Sequence, residues 1–252
     1  MNLFVYDKTF DGLLSVIFEA FRLKLFPDAL RGPADDLPLL AGRVVRVETE
    51  AEKAGRVWRG LQNRLSRPAL RSLMNAWLTV ADEAADELIV RYARRIFAGG
   101  DEADFSDPDV LAIREQSQKV AREKMHLIQF VRFQKTAEGI FFASVAPRYD
   151  VLPLVLRHFT GRFGDQQWII RDLARGYGFY YDLTRAREVR PDGQADLAAG
   201  RLEAGLPAED EILFQEAWKK YFQAVSIESR ANPKLQRQYM PRRFWPLLIE
   251  KQ

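Results

Sequence analysis

Cysteine is absent from this 252-residue chain, and histidine occurs only twice. The first absence removes disulfides, thiol nucleophiles, iron–sulfur ligation and every cysteine-based zinc site. The second leaves too few imidazoles for a closed metal site, so no metal or other cofactor is expected in this chain. No phosphate-binding Walker loop, no Gly-x-Gly-x-x-Gly after a strand, no Gly-x-Ser-x-Gly and no zinc-deaminase signature occurs, which disfavours the common cofactor enzymes and serine hydrolases. Apolar runs are broken by charges well before the roughly 18 to 20 residues that a membrane span needs, and the opening MNLFVYD lacks the basic start of a secretory signal. A cytoplasmic protein with no membrane partner is the expectation.

What is present suits a folded chain. With 47% hydrophobic and 12% aromatic residues, the sequence can bury one large core or two smaller ones. The net charge of +3 is unevenly spread. From residue 215 to the end there are eight cations against three acids, and residues 230–245 alone hold five cations and three aromatics with no acid. Arg and Lys offer donors to phosphates, and Tyr239, Phe244 and Trp245 offer flat faces on which unpaired bases can stack. Arg230, Lys234, Arg237, Arg242, Arg243 and Trp245 are therefore the candidate nucleic-acid contacts at this end. A solvated basic face is the plainer alternative.

The periodicity predicts an α+β protein, mostly helical, with a small antiparallel sheet in the middle. A possible strand at residues 3–6 precedes a helix capped by Thr9 or Asp7, whose apolar face is Phe10, Leu13, Leu14, Ile17, Phe18 and Phe21. Pro27, Gly32, Pro33 and Pro38 mark a loop. A possible strand at residues 43–48 leads to helices over about 51–65, 68–80 and 81–97. A helix capped at Asp107 should run to about residue 127. It is followed by strands at 129–133 and 140–145 with a turn at 137–139, a helix over 150–163, and an antiparallel pair at 167–173 and 178–183. The order strand, strand, helix, strand, strand favours an antiparallel unit over a doubly wound parallel sheet. Residues 187–208, rich in Gly and Pro, read as a connector. Asn232 as N-cap with Pro233 in the first turn predicts a short ordered helix. The organisation expected is thus a mainly helical region (1–105), an α+β region (106–190), a connector (191–208) and basic C-terminal helices (209–252), all of which could form one compact domain.

Few residues carry chemistry. Glu123 and His126, three apart on a helix, can face one metal or one substrate, but a di-iron centre needs this half-motif twice, and His158 has Val155 three residues before it. His126 could work as an acid or base with Asp172 orienting its ring. Asp172 should share a strand face with Trp168 and Ile170, a costly place for a carboxylate unless it is paired or used. Pairing with a nearby arginine is one reading; the other is a glycosylase-like role, Asp172 supporting a cationic sugar and Trp168 flanking a flipped base. Arg132, Arg171 and Arg175 could line a basic sheet face or pair with neighbouring acids.

Four segments carry a family resemblance: YDKTFDGLL at residues 6–14, EKMHLIQFVRF at 123–133, WIIRD at 168–172, and RANPK with MPRRFW at 230–234 and 240–245. Together they resemble the bacterial proteins called probable DNA metabolism proteins, over nearly the whole chain. That resemblance implies a neighbouring radical-SAM protein acting in DNA modification or repair, and a kinship with chains fused to a uracil-DNA glycosylase-like domain. The function expected is an accessory nucleic-acid-binding protein, DNA preferred over RNA, acting with a radical-SAM partner that holds the cluster this chain cannot ligate. Its Arg132 and Arg175 would join the C-terminal cations in binding the strand. One alternative is a base-processing enzyme using Asp172, His126 and Glu123. Another is a structural adaptor whose basic end grips an acidic protein.

Overall fold

A computed structural model of the chain describes residues 1–36, 42–79, 84–190, 208, 210–225 and 232–251. They divide into two compact units, Met1–Ala121 and Arg122–Gln252, and the architecture is α+β. Among the described residues no helix is long and apolar enough to cross a membrane.

The first unit is built on a short parallel sheet, β1 (Asn2–Val5), β2 (Ala29–Arg31) and β3 (Arg43–Arg46), in the order β2-β1-β3. Its helices are α1 (Phe10–Leu23), α2 (Ala51–Gln62), α3 (Arg67–Trp77) and α4 (Ala84–Phe97). Thr9 caps α1 by accepting from the Gly12 N–H at 2.9 Å, and Asp7 in turn accepts from the Thr9 N–H at 3.0 Å. Leu13, Leu14 and Ile17 are buried with Phe4, Leu61, Leu73 and Ile89 in one core, against which Phe10 and Phe18 pack. Each such side chain contributes roughly 1.5–3 kcal/mol by leaving water. β2 was not expected: it lies in the Pro- and Gly-marked loop, too short to show alternation, and exists because β1 offers it a free edge.

Asp107 starts α5 (Pro108–Phe130), its carboxylate accepting from the Asp109 and Val110 N–H groups at 2.9 and 3.1 Å. The strand expected at residues 129–133 is corrected. Residues 129 and 130 complete α5, the Val131 N–H still bonds the Leu127 carbonyl at 3.1 Å, and the hairpin strand β4 is only Gln134–Lys135. An alternating Phe-Val-Arg-Phe stretch fits a strand locally, but Phe130 is placed one helical turn from His126, where the two rings stack at 5.8 Å.

The second unit holds a five-stranded sheet in the order β4-β5-β6-β7-β8, with β5 (Phe141–Val145), β6 (Trp168–Asp172), β7 (Tyr177–Tyr181) and β8 (Ala186–Val189). β6 and β7 form the antiparallel pair read from sequence. The sheet is not wholly antiparallel, however: α6 (Leu152–Arg162) crosses between β5 and β6, which run parallel. A strand–helix–strand crossover returns the chain in its original direction, so the intervening helix fixes this pairing. β8 occupies residues expected as connector; its polar, mostly open residues give no apolar signal, and pairing with β7 makes it a strand. The remainder of that connector, apart from Arg190 and Ala208, lies outside the described residues. The chain continues as α7 (Glu211–Val225), α8 (Pro233–Tyr239) and 3₁₀ turns at Arg242–Leu247 and Ile249–Lys251. Asn232 caps α8, its side chain accepting from the Leu235 N–H at 3.0 Å.

Candidate functional site

Three structural pieces of the second unit bring the expected catalytic residues together, with Glu123 and Asp172 in one hydrogen-bonded network and His126 beside it. The end of α5 supplies Glu123 and His126, the loop after β5 supplies Arg148 and Asp150, and the β6–β7 turn supplies Asp172 and Arg175. Glu123, 3% exposed, accepts from the Arg148 N–H at 2.8 Å and from the Arg243 guanidinium. Asp172 is fully buried. One of its oxygens accepts from the Ala174 and Arg175 N–H groups at 2.9 and 3.2 Å, and the other pairs with Arg175 Nη1 at 2.9 Å. Arg175 also donates to the Pro147 and Arg148 carbonyls at 3.1 and 2.9 Å. The peptides around residue 148 are thus gripped from two sides, by Glu123 on the N–H and by Arg175 on the carbonyls. Tyr177 donates to Asp150 in the same loop; burial, reinforced by that carboxylate, pushes its hydroxyl pKa up and keeps it a donor.

The carboxylate beside His126 is that of Glu123, with Nδ1 to Oε2 at 4.0 Å, too long for a hydrogen bond. Nδ1 is buried without a partner, and the ring packs against Phe130 and edge-on to Phe244. Asp172 has its oxygens filled by the turn and Arg175. Burial depresses the His126 pKa below the ordinary 6.5; Glu123 opposes this, while Arg243 and Arg122 add to the depression. The folded protein therefore holds His126 neutral where the unfolded chain would bind a proton. Stability should be fully present above pH 6.5 and should fall as the pH drops through 6.5 toward the folded value. Melting curves between pH 7.5 and 5.5 for wild type and His126→Gln check this: the variant should show the shallower fall, and equal slopes would refute it.

The expected nucleic-acid residues separate into two groups. Arg132 is taken by Glu250, Nη2 to Oε1 at 2.7 Å and Nε to Oε2 at 3.4 Å. Burial pushes the Glu250 carboxyl up, but hydrogen bonds from Arg132, its own backbone and Trp218 outweigh this and hold its pKa below the ordinary range. Arg175 and Arg243 are taken by Asp172 and Glu123. Lys234, Arg237 and Arg242 are exposed, and none of them forms an ion pair among the described residues. Beside them Tyr239 is 67% exposed, while Trp245 donates to the Met240 carbonyl at 3.0 Å and lies under Arg242 and Lys251. Arg230 lies outside the described residues.

Sequence reasoning missed a pocket of about 620 Å³ between α7 and the β4–β5 hairpin, lined by the aromatic rings of Phe133, Phe141, Phe214 and Trp218 and by charges of both signs, Arg132 and Lys135 with Asp210 and Glu211. The available signal was α7 itself, which has too many apolar residues for one buried face: Ile212, Leu213, Phe214, Trp218, Tyr221 and Val225 are all exposed. Among the described residues no three His, Asp or Glu side chains come together as metal ligands.

One family model, described as a domain of unknown function (DUF4130), matches residues 83–250. No curated protein matches the chain.

Proposed function

The chain belongs to the DUF4130 family, and we propose that it is an accessory nucleic-acid-binding protein of DNA repair or modification. The observation that carries this reading is the exposed, acid-free strip of Lys234, Arg237 and Arg242 with Tyr239 beside it. Unpaired cations on one short stretch suit a phosphate backbone, and an open aromatic ring suits an unstacked base. Single-stranded or locally opened DNA is the preferred ligand. The resemblance of its motifs to the probable DNA metabolism proteins supplies the second half of the proposal, a radical-SAM partner in the same reaction.

Replacing Lys234, Arg237 and Arg242 together with Gln tests the strip. Affinity for a single-stranded oligonucleotide at low salt should fall by orders of magnitude, and the slope of log affinity against log salt should flatten by about 2, because three phosphate contacts are lost at roughly 0.7 each. An unchanged slope would sink the reading. Equal binding of polyglutamate and oligonucleotide would favour the adaptor for an acidic protein instead. The base-processing alternative has less support, because Asp172 and Glu123 are each engaged by an arginine and by backbone N–H groups.

A further inference from the structure

Arg171 lies in the middle of the second unit's sheet, yet its Nε and Nη1 are buried without a partner, and so is the Ser144 hydroxyl. The two residues are register neighbours, Ser144 on β5 opposite Arg171 on β6. They share a sheet face, the one opposite Trp168, Ile170 and Asp172. Ser144 is only 7% exposed. Across the other edge of β6, Arg171 is paired with Gly178 of β7. A Cβ on Gly178 would stand 2.6 Å from the Ile170 carbonyl oxygen and 3.1 Å from the Arg171 Cα, so β7 runs bare and close against the Arg171 backbone. A glycine inside a strand commonly marks such a close approach of backbone or ligand.

Arg171 is half-buried, but buried donors such as its Nε and Nη1 are ordinarily filled, because removing them from water uncompensated is costly. Every other arginine of the buried network has an acceptor: Arg175 has Asp172, Arg243 has Glu123 and Arg132 has Glu250. On the face that Arg171 shares with Phe142, Ile169, Tyr180 and Arg187, set by the strand register, the Asp182 carboxylate is taken by Arg187 at 2.7 Å, and Arg171 forms no ion pair among the described residues. Arg171 is therefore left with an unmatched charge beside Ser144. Both residues also sit toward the carboxyl ends of the parallel pair β5–β6, the end at which ligands bind in sheets with parallel crossovers.

We infer that Arg171 and Ser144 form a subsite for a phosphoryl oxyanion, the guanidinium supplying charge-assisted N–H donors and the serine hydroxyl a further donor. A phosphate fits better than a carboxylate because it offers more acceptor oxygens and more charge to an arginine whose own charge is unmatched. The subsite is independent of the exposed strip at residues 234–242, so either can stand without the other.

Thermal melting and calorimetric titration of the full chain at fixed ionic strength test the subsite with three probes: inorganic phosphate, a deoxynucleoside 5′-monophosphate, and an oligothymidine without terminal phosphate. At least one should raise the melting temperature saturably where chloride does not. Arg171→Gln should weaken the responding probe by roughly 10- to 100-fold, and Ser144→Ala by about 3- to 10-fold. A response to phosphate and the monophosphate alone assigns the site to free phosphate or a monoester, and a response to the oligonucleotide alone assigns it to a phosphodiester. Because the cation has no partner in the free protein, Arg171→Leu should melt no lower than wild type in phosphate-free buffer. The inference is overturned if no probe acts, if Arg171→Gln responds like wild type, or if Arg171→Leu melts lower without phosphate. The Lys234/Arg237/Arg242 variant should keep its response to inorganic phosphate or the monophosphate, which separates a failure of this site from a failure of the strip.

Discussion

Asp172→Asn is expected to cost the second unit about 3 kcal/mol, the lower end of the 3–5 kcal/mol typical for breaking a buried ion pair. The carboxylate is fully buried, and its Oδ2 faces Arg175 Nη1 at 2.9 Å. An asparagine can still accept from the turn N–H groups, but its amide nitrogen then confronts another donor. Arg175 keeps its two carbonyl acceptors and is 27% exposed at the side chain, which is why the lower end applies. Replacing Arg175 as well, with Met, should recover part of the loss, giving a double-mutant cycle with positive coupling. Thermal melting decides between structure and catalysis: a normal melt with a separate loss of base processing would make Asp172 a catalytic residue instead.

Trp168→Ala is expected to be at least as damaging, about 3–5 kcal/mol, the usual range for truncating a core aromatic. Its side chain is completely buried, stacked on Tyr181 at 5.2 Å and edged by Phe159 at 6.2 Å. No open ring face remains for a flipped base. For a unit of this size the melting temperature should drop by roughly 10 °C or more. Trp168→Phe should cost less than Trp168→Ala, since it keeps one ring's contacts and removes an indole N–H that is buried without a partner. A Trp168→Ala variant that melts like wild type and loses only nucleic-acid binding would reverse this assignment.

The helices were legible because caps and periodicity are local. Thr9, Asp107 and Asn232 each satisfy backbone N–H groups within their own first turn, so a few neighbouring residues suffice to place the start. The helix end at Phe130 and the strand at β8 were not legible, because neither is chosen locally. Phe130 stays helical through its stacking on His126, and β8 forms against a partner strand.

The same division runs through the candidate site. By itself the sequence determined that Asp172 shares a strand face with Trp168, that no cysteine chemistry is possible, and that the cations gather at residues 230–245. It could not say which cations are free. Tertiary structure assigned Arg132, Arg175 and Arg243 to carboxylates 118, 3 and 120 residues away and left Lys234, Arg237 and Arg242 in solvent. It also left Arg171 in the sheet without an acceptor. The physical reason is that charge composition is additive along the chain, whereas neutralisation depends on which acid the fold brings within about 3 Å, a distance that most of these pairs reach only after strands and helices have packed.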